Sequence, residues 1–274
     1  MICNQQSSQE AGPLQPELEL NTLHYSEKIL KWNPVCQKNM ALFYQFQTGS
    51  QTKRSLRVIP DACADFLFCC DDNPSAFISG LQTAPREIII KPNCTYFGFK
   101  PYTTKGMKIM PILWNELLDE TASFRDQFGD NGLEAAIKIA ASFEERISIF
   151  QKFALKKLID QSYLLDLVEF SEIQLCNAAG NIRVDSLSDQ TGYTTRYCRK
   201  RFKEALGVSI KDYSNIMRFQ NMVRILSQEE ESLSDVVLDN GYFDQSHMIK
   251  EFKRYSGDTP YRFKKFVLKT EATF

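Results

Sequence analysis

Residues 192–207 read GYTTRYCRKRFKEALG, and residues 241–257 read GYFDQSHMIKEFKRYSG. Each stretch opens on Gly-Tyr, reaches Phe-Lys (Phe202-Lys203, Phe252-Lys253) and closes on a glycine, Gly207 or Gly257. A short apolar-periodic segment precedes each: Val184 and Leu187 in the first copy, Leu233, Val236 and Val237 in the second. Each copy therefore predicts a short helix, a glycine turn, a longer helix and a glycine C-cap. That is the anatomy of a helix-turn-helix, whose turn needs the positive φ that glycine supplies without strain. Between the copies, Tyr213, Ile216, Met217, Phe219, Met222, Val223 and Leu226 form a broad apolar face. One long helix there ties the two units together.

In the first copy Thr194 or Thr195 is a good N-cap. Cys198, Phe202 and Ala205 or Leu206 fall inward. Arg196, Arg199, Lys200 and Lys203 fall on the other face at i, i+3, i+4 and i+7. A helix fits the major groove, and Arg or Lys pairs with guanine O6 and N7. A basic helix face is often no more than solvated surface; its place just after the turn glycine favours contact with DNA. The second copy presents a less charged face. From Asp244, a candidate N-cap, the exposed residues are Gln245, Ser246, His247 and Lys250, with Met248, Ile249 and Phe252 mixed or buried. Gln reads adenine bidentately, and Ser, His and Lys reach bases or phosphates. Downstream, Arg262, Lys264 and Lys265 suit phosphate contact or a plain solvated C-terminus. The expected DNA-contacting set is Thr195, Arg196, Arg199, Lys200, Lys203, Asp244, Gln245, Ser246, His247, Lys250 and Arg262.

The N-terminal half has another rhythm. Residues 1–20 are rich in Gln, Ser, Glu and Pro and read as a mobile lead-in. From Met40, short apolar runs (ALFYQF, RVIP, ADFLFCC, AFISG, EIII, TYFGF) alternate with turns such as Pro60-Asp61 and Lys91-Pro92-Asn93. That predicts a small antiparallel β domain, a barrel or a sandwich. After Trp114 the period lengthens to that of helices: one through Leu117, Phe124 and Phe128, a second from Leu133 to Ala140, a third from Ile147 to Leu158. The expected class is α+β: a β-barrel/sandwich-like domain with following helices, then an all-α domain of two helix-turn-helix units and a linker helix. The boundaries read 1–20 lead-in, 21–112 β-rich domain, 113–162 helical connector and dimerisation helices, and 163–270 double helix-turn-helix.

Thirty-three basic and 34 acidic residues nearly cancel among 274, so any attraction to nucleic acid must come from local clustering. No apolar run approaches the roughly 18 residues of a membrane span, and no signal peptide is visible at the N-terminus. A cytoplasmic location without membrane contact is the expectation. Eight cysteines form no C-x-x-C pair and only His24 and His247 join them, so no metal and no cofactor is expected. Cys63, Cys69 and Cys70 fall in one predicted strand, and a thiol-based redox response is one alternative. An enzyme using Asp61, Asp65, His24 or Cys63 is another. No metal, nucleophile-elbow or phosphate-loop motif surrounds those residues, and the expectation is no enzyme.

The stretches 192–226 and 233–265 resemble the DNA-binding domain of the arabinose-regulator (AraC/XylS) family, over about residues 164 to 266. The segment GY-FDQSH-…-F-…-G-x-TP-x-x-F carries most of the likeness. The resemblance implies two helix-turn-helix units in successive major-groove segments of double-stranded promoter or operator DNA. It implies base readers at Arg196, Arg199 and Lys200, and at Gln245, Ser246, His247 and Lys250, in a bacterial regulator that meets RNA polymerase. Ser188, Met222, Ser234 and Val237 stand where alanine is usual, and Phe263 stands where arginine is usual, with Arg262 beside it. VIPDACADFLF (58–68), FISG (77–80) and YFGFKPY (96–102) resemble a less characterised sensor-like domain found on some members. Ala62 stands there for a usual glycine and Tyr102 where Pro-Gly is typical. The expected function is sequence-specific regulation of transcription. An effector, a small molecule held in the β domain, controls it, and a homodimer forms through the connector helices. Phe66, Phe68, Phe77, Tyr96, Phe97 and Phe99 either line that effector site or pack the core.

Overall fold

A computed structural model describes residues 12–32, 40–102, 113–158, 167–228 and 240–271. The apolar runs become strands: β1 (Leu23–Lys31), β2 (Met40–Gln47), β3 (Ser55–Val58), β4 (Asp65–Cys69), β5 (Ser75–Ser79), β6 (Arg86–Ile89), β7 (Thr95–Pro101) and β8 (Thr121–Ser123). Six pair antiparallel in the order β1-β2-β7-β4-β5-β8, and β3 with β6 forms a separate ribbon. The domain is an open, sandwich-like arrangement and not a closed barrel.

Side chains alternate across a strand, and here both faces of the sheet are covered. Ala41, Phe43, Phe66, Phe68, Phe97 and Phe99 point toward the connector helices: α2 (Phe124–Phe128), α3 (Leu133–Ile139) and α4 (Phe143–Lys157). Phe150 of α4 sits at the centre of that layer, its ring 4.5 to 6.2 Å from those of Phe43, Phe66, Phe68, Phe97 and Phe99. Leu42, Tyr44, Phe46 and Tyr96 point the other way, onto Leu56, Val58 and Ile90 of the ribbon side and Leu18 of α1 (Pro16–Asn21). Five of the six aromatics expected to line a ligand site or pack the core are thus core. Phe77 alone of them is exposed, at 45 %.

Several expectations change. Residues 12–20 are not a free lead-in: Gln15 and Leu18 are buried, and Gln15 is hydrogen-bonded to Ile59 on both its amide atoms. Leu117 to Phe128 is not one helix. A 3-10 turn (Trp114–Leu117) leads into β8, which completes the edge of β5, and α2 then starts at Ser123, whose side chain accepts from the Asp126 N–H. Of Cys63, Cys69 and Cys70, only Cys69 lies within β4.

The C-terminal half is helical: α5 (Leu167–Asn177), α6 (Val184–Thr191), α7 (Thr195–Leu206), α8 (Ile210–Leu226), α9 (Gln245–Ser256) and α10 (Pro260–Glu271). The predicted first helix of the second copy, with Leu233, Ser234, Val236 and Val237, lies outside the described residues. Leu187, Phe202, Ile216, Phe219, Met222, Phe252 and Phe263 share one core. Met222, bulkier than the alanine the resemblance would place there, is wholly buried in it. Ile59, Ala62 and Leu81 of the β domain join the same core, so the two halves pack directly.

Candidate nucleic-acid interface

Gly192 at φ 72° turns the chain between α6 and α7, and Thr194 caps α7 by accepting from the Tyr197 N–H at 3.3 Å. Cys198, Phe202 and Leu206 are buried, and helical periodicity then turns Arg196, Arg199, Lys200 and Lys203 outward together. Thr195 is half-buried and its hydroxyl donates to Asp185 Oδ1 at 3.3 Å. Glu204 lies 3.7 Å from Lys200 and 3.2 Å from Arg201; both pairs are exposed and weak. The rings of Tyr193 and Tyr197 meet at a tilt, centroids 5.0 Å apart, both substantially exposed.

The second unit repeats the construction with other side chains. Gly241 takes φ 72°, a conformation strained for any side chain, and a Cβ there would stand 2.3 Å from Asn181 Oδ1 and push that side chain aside, so this turn favours glycine. Asp244 accepts from the His247 N–H at 2.7 Å and is thereby committed to starting α9. Met248 and Phe252 are buried, and Gln245, Ser246, His247 and Lys250 are exposed. His247 Nε2 stands 3.9 Å from Glu251 Oε2.

α8 holds the two units. Tyr213 meets Phe202 edge-on at 5.3 Å, and Phe219 meets Phe252 at 5.1 Å and Tyr255 at 5.4 Å. Phe263 packs edge-on to Phe252 at 5.2 Å. The position where the resemblance expects arginine is therefore core, and the exposed cation is Arg262, 4.0 Å from Asp258. The sequence reading missed a basic cleft between α6, α7 and α8, where Arg183, Lys211 and Arg218 meet Arg199 and Lys203. Those cations are scattered over 36 positions of the chain, so no charge run announces them. Arg218 also lies over the Tyr242 ring at 5.6 Å and donates to Asn215 Oδ1 at 2.6 Å.

In the β domain a cavity of about 330 Å³ opens between the sheet and the β3–β6 ribbon. Its floor is ionic. Lys100 is buried with its Nζ 2.8 Å from Asp61 Oδ2 and 3.1 Å from Asp65 Oδ2, and Tyr44 donates its hydroxyl to Asp65 at 2.8 Å. Burial pushes the Asp65 carboxyl above its ordinary value, against the pull of Lys100. Of the residues named for an enzyme, Asp61, Asp65 and Cys63 come together at this cavity, while His24 is exposed on β1 and is not among its lining. Burial raises the Cys63 thiol well above its usual range, Cys70 to about 11 and Cys94 to about 12. Those shifts oppose thiolate formation, which a redox sensor requires. Among the described residues no cluster of metal-ligating side chains occurs, and no helix is long and apolar enough to cross a membrane.

Residues 187–265 match the family model of a helix-turn-helix domain. Among curated proteins, the probable transcription factor PqrA of Proteus vulgaris is 25 % identical over 99 residues, covering 36 % of this chain and 80 % of that protein. Uncharacterized HTH-type transcriptional regulators of Staphylococcus aureus are 25 % identical over 84 residues, 31 % of this chain. The chain spans only 11 % of the length of those staphylococcal relatives. Among solved structures, ToxT from Vibrio cholerae superposes with a TM-score of 0.42 at 14 % identity, over 89 % of this chain and 98 % of that one.

Proposed function

Because the C-terminal part of the chain is a helix-turn-helix domain of the arabinose-regulator type, we propose that the protein regulates transcription. It does so by reading a specific site on double-stranded DNA under the control of an effector bound in its β domain. One observation carries the reading: two helices, α7 and α9, each capped, each turned by a glycine at positive φ and each polar on its exposed face, are held on one apolar helix. Two recognition helices about one DNA turn apart, ~34 Å, would enter successive major-groove segments. Arg196, Arg199 and Lys200 supply the guanine-reading chemistry, and Gln245, Ser246, His247 and Lys250 the second contact. Thr195, Lys203 and Arg262 serve the backbone, and Asp244 acts through the start of α9. RNA polymerase and a second copy of the chain are the protein partners on this reading.

The test selects DNA from a random duplex pool with the full chain and measures affinity for the selected site. Arg199→Ala should lose ~1–3 kcal/mol on that site and less on random duplex. Equal loss on both would show that Arg199 meets only phosphates, and a wild-type chain that selects no sequence would end the reading.

A further inference from the structure

We infer that the cavity between the sheet and the β3–β6 ribbon binds a small zwitterion, an α-amino acid with an apolar side chain. Its carboxylate would lie on Arg86 and its ammonium on Asp65. This rests on the effector reading above and gives that effector a chemical class.

The cavity's cations and aspartates do not pair off at contact distance: Arg86, its second cation, feels Asp65 across the space without an ion pair to it among the described residues. Lys100 is one cation shared by two carboxylates. Asp61 is spent: it accepts from Lys100, from Gln15 Nε2 at 2.9 Å and from the Cys63 N–H at 3.1 Å, and its side chain is 6 % exposed. Asp65 is not. Its side chain is 19 % exposed toward the cavity, its partners are Tyr44 and Lys100, and its two oxygens have lone pairs for a further donor. A buried carboxylate without a full counter-charge is costly, and an ammonium in the cavity would supply it.

Arg86 has the opposite need. It projects from β6, and its Nη2 donates to Ser79 Oγ at 2.8 Å. Ser79 pairs with Asp65 across the β4–β5 ladder, so the guanidinium is anchored on the strand position opposite Asp65. Among the described residues no carboxylate comes into ion-pair contact with it, and one of its five N–H donors goes to Ser79. A planar carboxylate fits the remaining fork bidentately. Burial disfavours the charged form of both groups, raising Asp65 against the pull of Lys100 and lowering Arg86 against the longer-range pull of Asp65.

A ligand with both charges answers both. A simple anion would leave Asp65 uncompensated, a simple amine would leave Arg86, and an apolar molecule would leave the two. The remaining wall suits a hydrocarbon side chain: Leu18, Val58, Leu67, Phe77 and Ile88 border the same space. Its volume, about 330 Å³, is at the small end of ligand sites, ~300–1,000 Å³. The three stretches that carry the N-terminal resemblance converge here, through Asp61 and Asp65, Ser79, and Lys100.

The experiment titrates the full chain with L-leucine, L-methionine and L-phenylalanine by calorimetry and by melting temperature. Isocaproate, which lacks the amine, and isoamylamine, which lacks the carboxylate, are the controls. At least one amino acid should bind and raise the melting temperature. Both one-charge analogues, and Arg86→Gln with the amino acid, should bind about tenfold or more weakly. Arg86 is only half-buried, so the Gln variant should melt near the wild type without ligand. Isocaproate or isoamylamine binding as well as leucine overturns the proposal, as does no amino-acid binding at millimolar concentration. Affinity for the selected DNA, measured with and without the amino acid, separates the two readings. Binding sensitive to Arg86→Gln with unchanged DNA affinity keeps the site and removes its effector role. DNA affinity that responds to other metabolites but to no amino acid removes this site and keeps effector control.

Discussion

Lys100 is a buried cation made tenable by Asp61 and Asp65, and together with buried thiols elsewhere in the β domain it sets how the fold responds to alkali. Its pKa is raised, the two aspartates outweighing the burial that by itself lowers it. Cys70 and Cys94, pushed up to about 11 and about 12 by burial, hold their protons longer folded than unfolded. The unfolded chain releases thiol protons near their ordinary value of 9.0. Above that pH the folded state binds more protons than the unfolded one, so stability falls as pH rises through the folded values. Lys100 acts in the same direction. The urea midpoint should therefore drop between about pH 9 and about pH 12, and a flat profile would contradict the buried, neutral thiols. At this scale the sequence was legible where local rules decide. Thr194 caps α7 as its residue type predicts. It was not legible where tertiary packing decides: that Phe263 packs on Phe252 follows from how α10 folds back on α9, and that Gln15 bonds Ile59 follows from elements distant in the chain. Ala62 takes φ 59° where the resembling domain has glycine, a strain that pattern alone does not show.

Among the elements, α8 bears the most on both helix-turn-helix units. Ile216 is wholly buried in the core that both share. Ile216→Asp would put an unpaired carboxylate there and should destabilise the domain by roughly 4 kcal/mol or more. Circular dichroism and DNA affinity should fail together; a folded, DNA-binding variant would show that α8 does not couple the units. The long helices were legible because a 3.6-residue apolar period persists over several turns, as in α4 and α8. The short elements were not. β8 has three residues and exists because β5 offers an edge to pair with. β1 is an outer strand whose residues are none of them fully buried, so it carries no alternating apolar signal. The basic cleft went unseen for a related reason: Arg183, Lys211 and Arg218 meet only after α6, α7 and α8 have packed.

The whole molecule is joined by polar as well as apolar contacts. Gln220 of α8 accepts from the Leu14 N–H at 2.9 Å and donates to the Pro60 carbonyl at 2.8 Å, and Arg224 donates to the Gly12 carbonyl at 3.0 Å. Pro60 adjoins Asp61, which holds Lys100 in the floor of the cavity, so the cavity lies one residue from a contact with the helix that supports both DNA-facing units. Near the end of each unit the β half touches again: Gly207 lies against Asn115 and Leu118, and Arg57 donates to the Ser256 carbonyl at 3.4 Å. Tyr213 and Met217 border Ala62 and Cys63, and Phe263 and Phe266 border Pro16 and Ile59. A fragment of residues 167–271 would present those four side chains to water at the two places that the β half covers. Its colloidal behaviour should differ from that of the intact chain. Static light scattering should give attraction between fragment molecules, a negative second virial coefficient, under conditions where the full chain repels itself. Equal coefficients would mean that the β half shields nothing. The cover laid down for one purpose, packing, would thus also keep the DNA-reading half in solution.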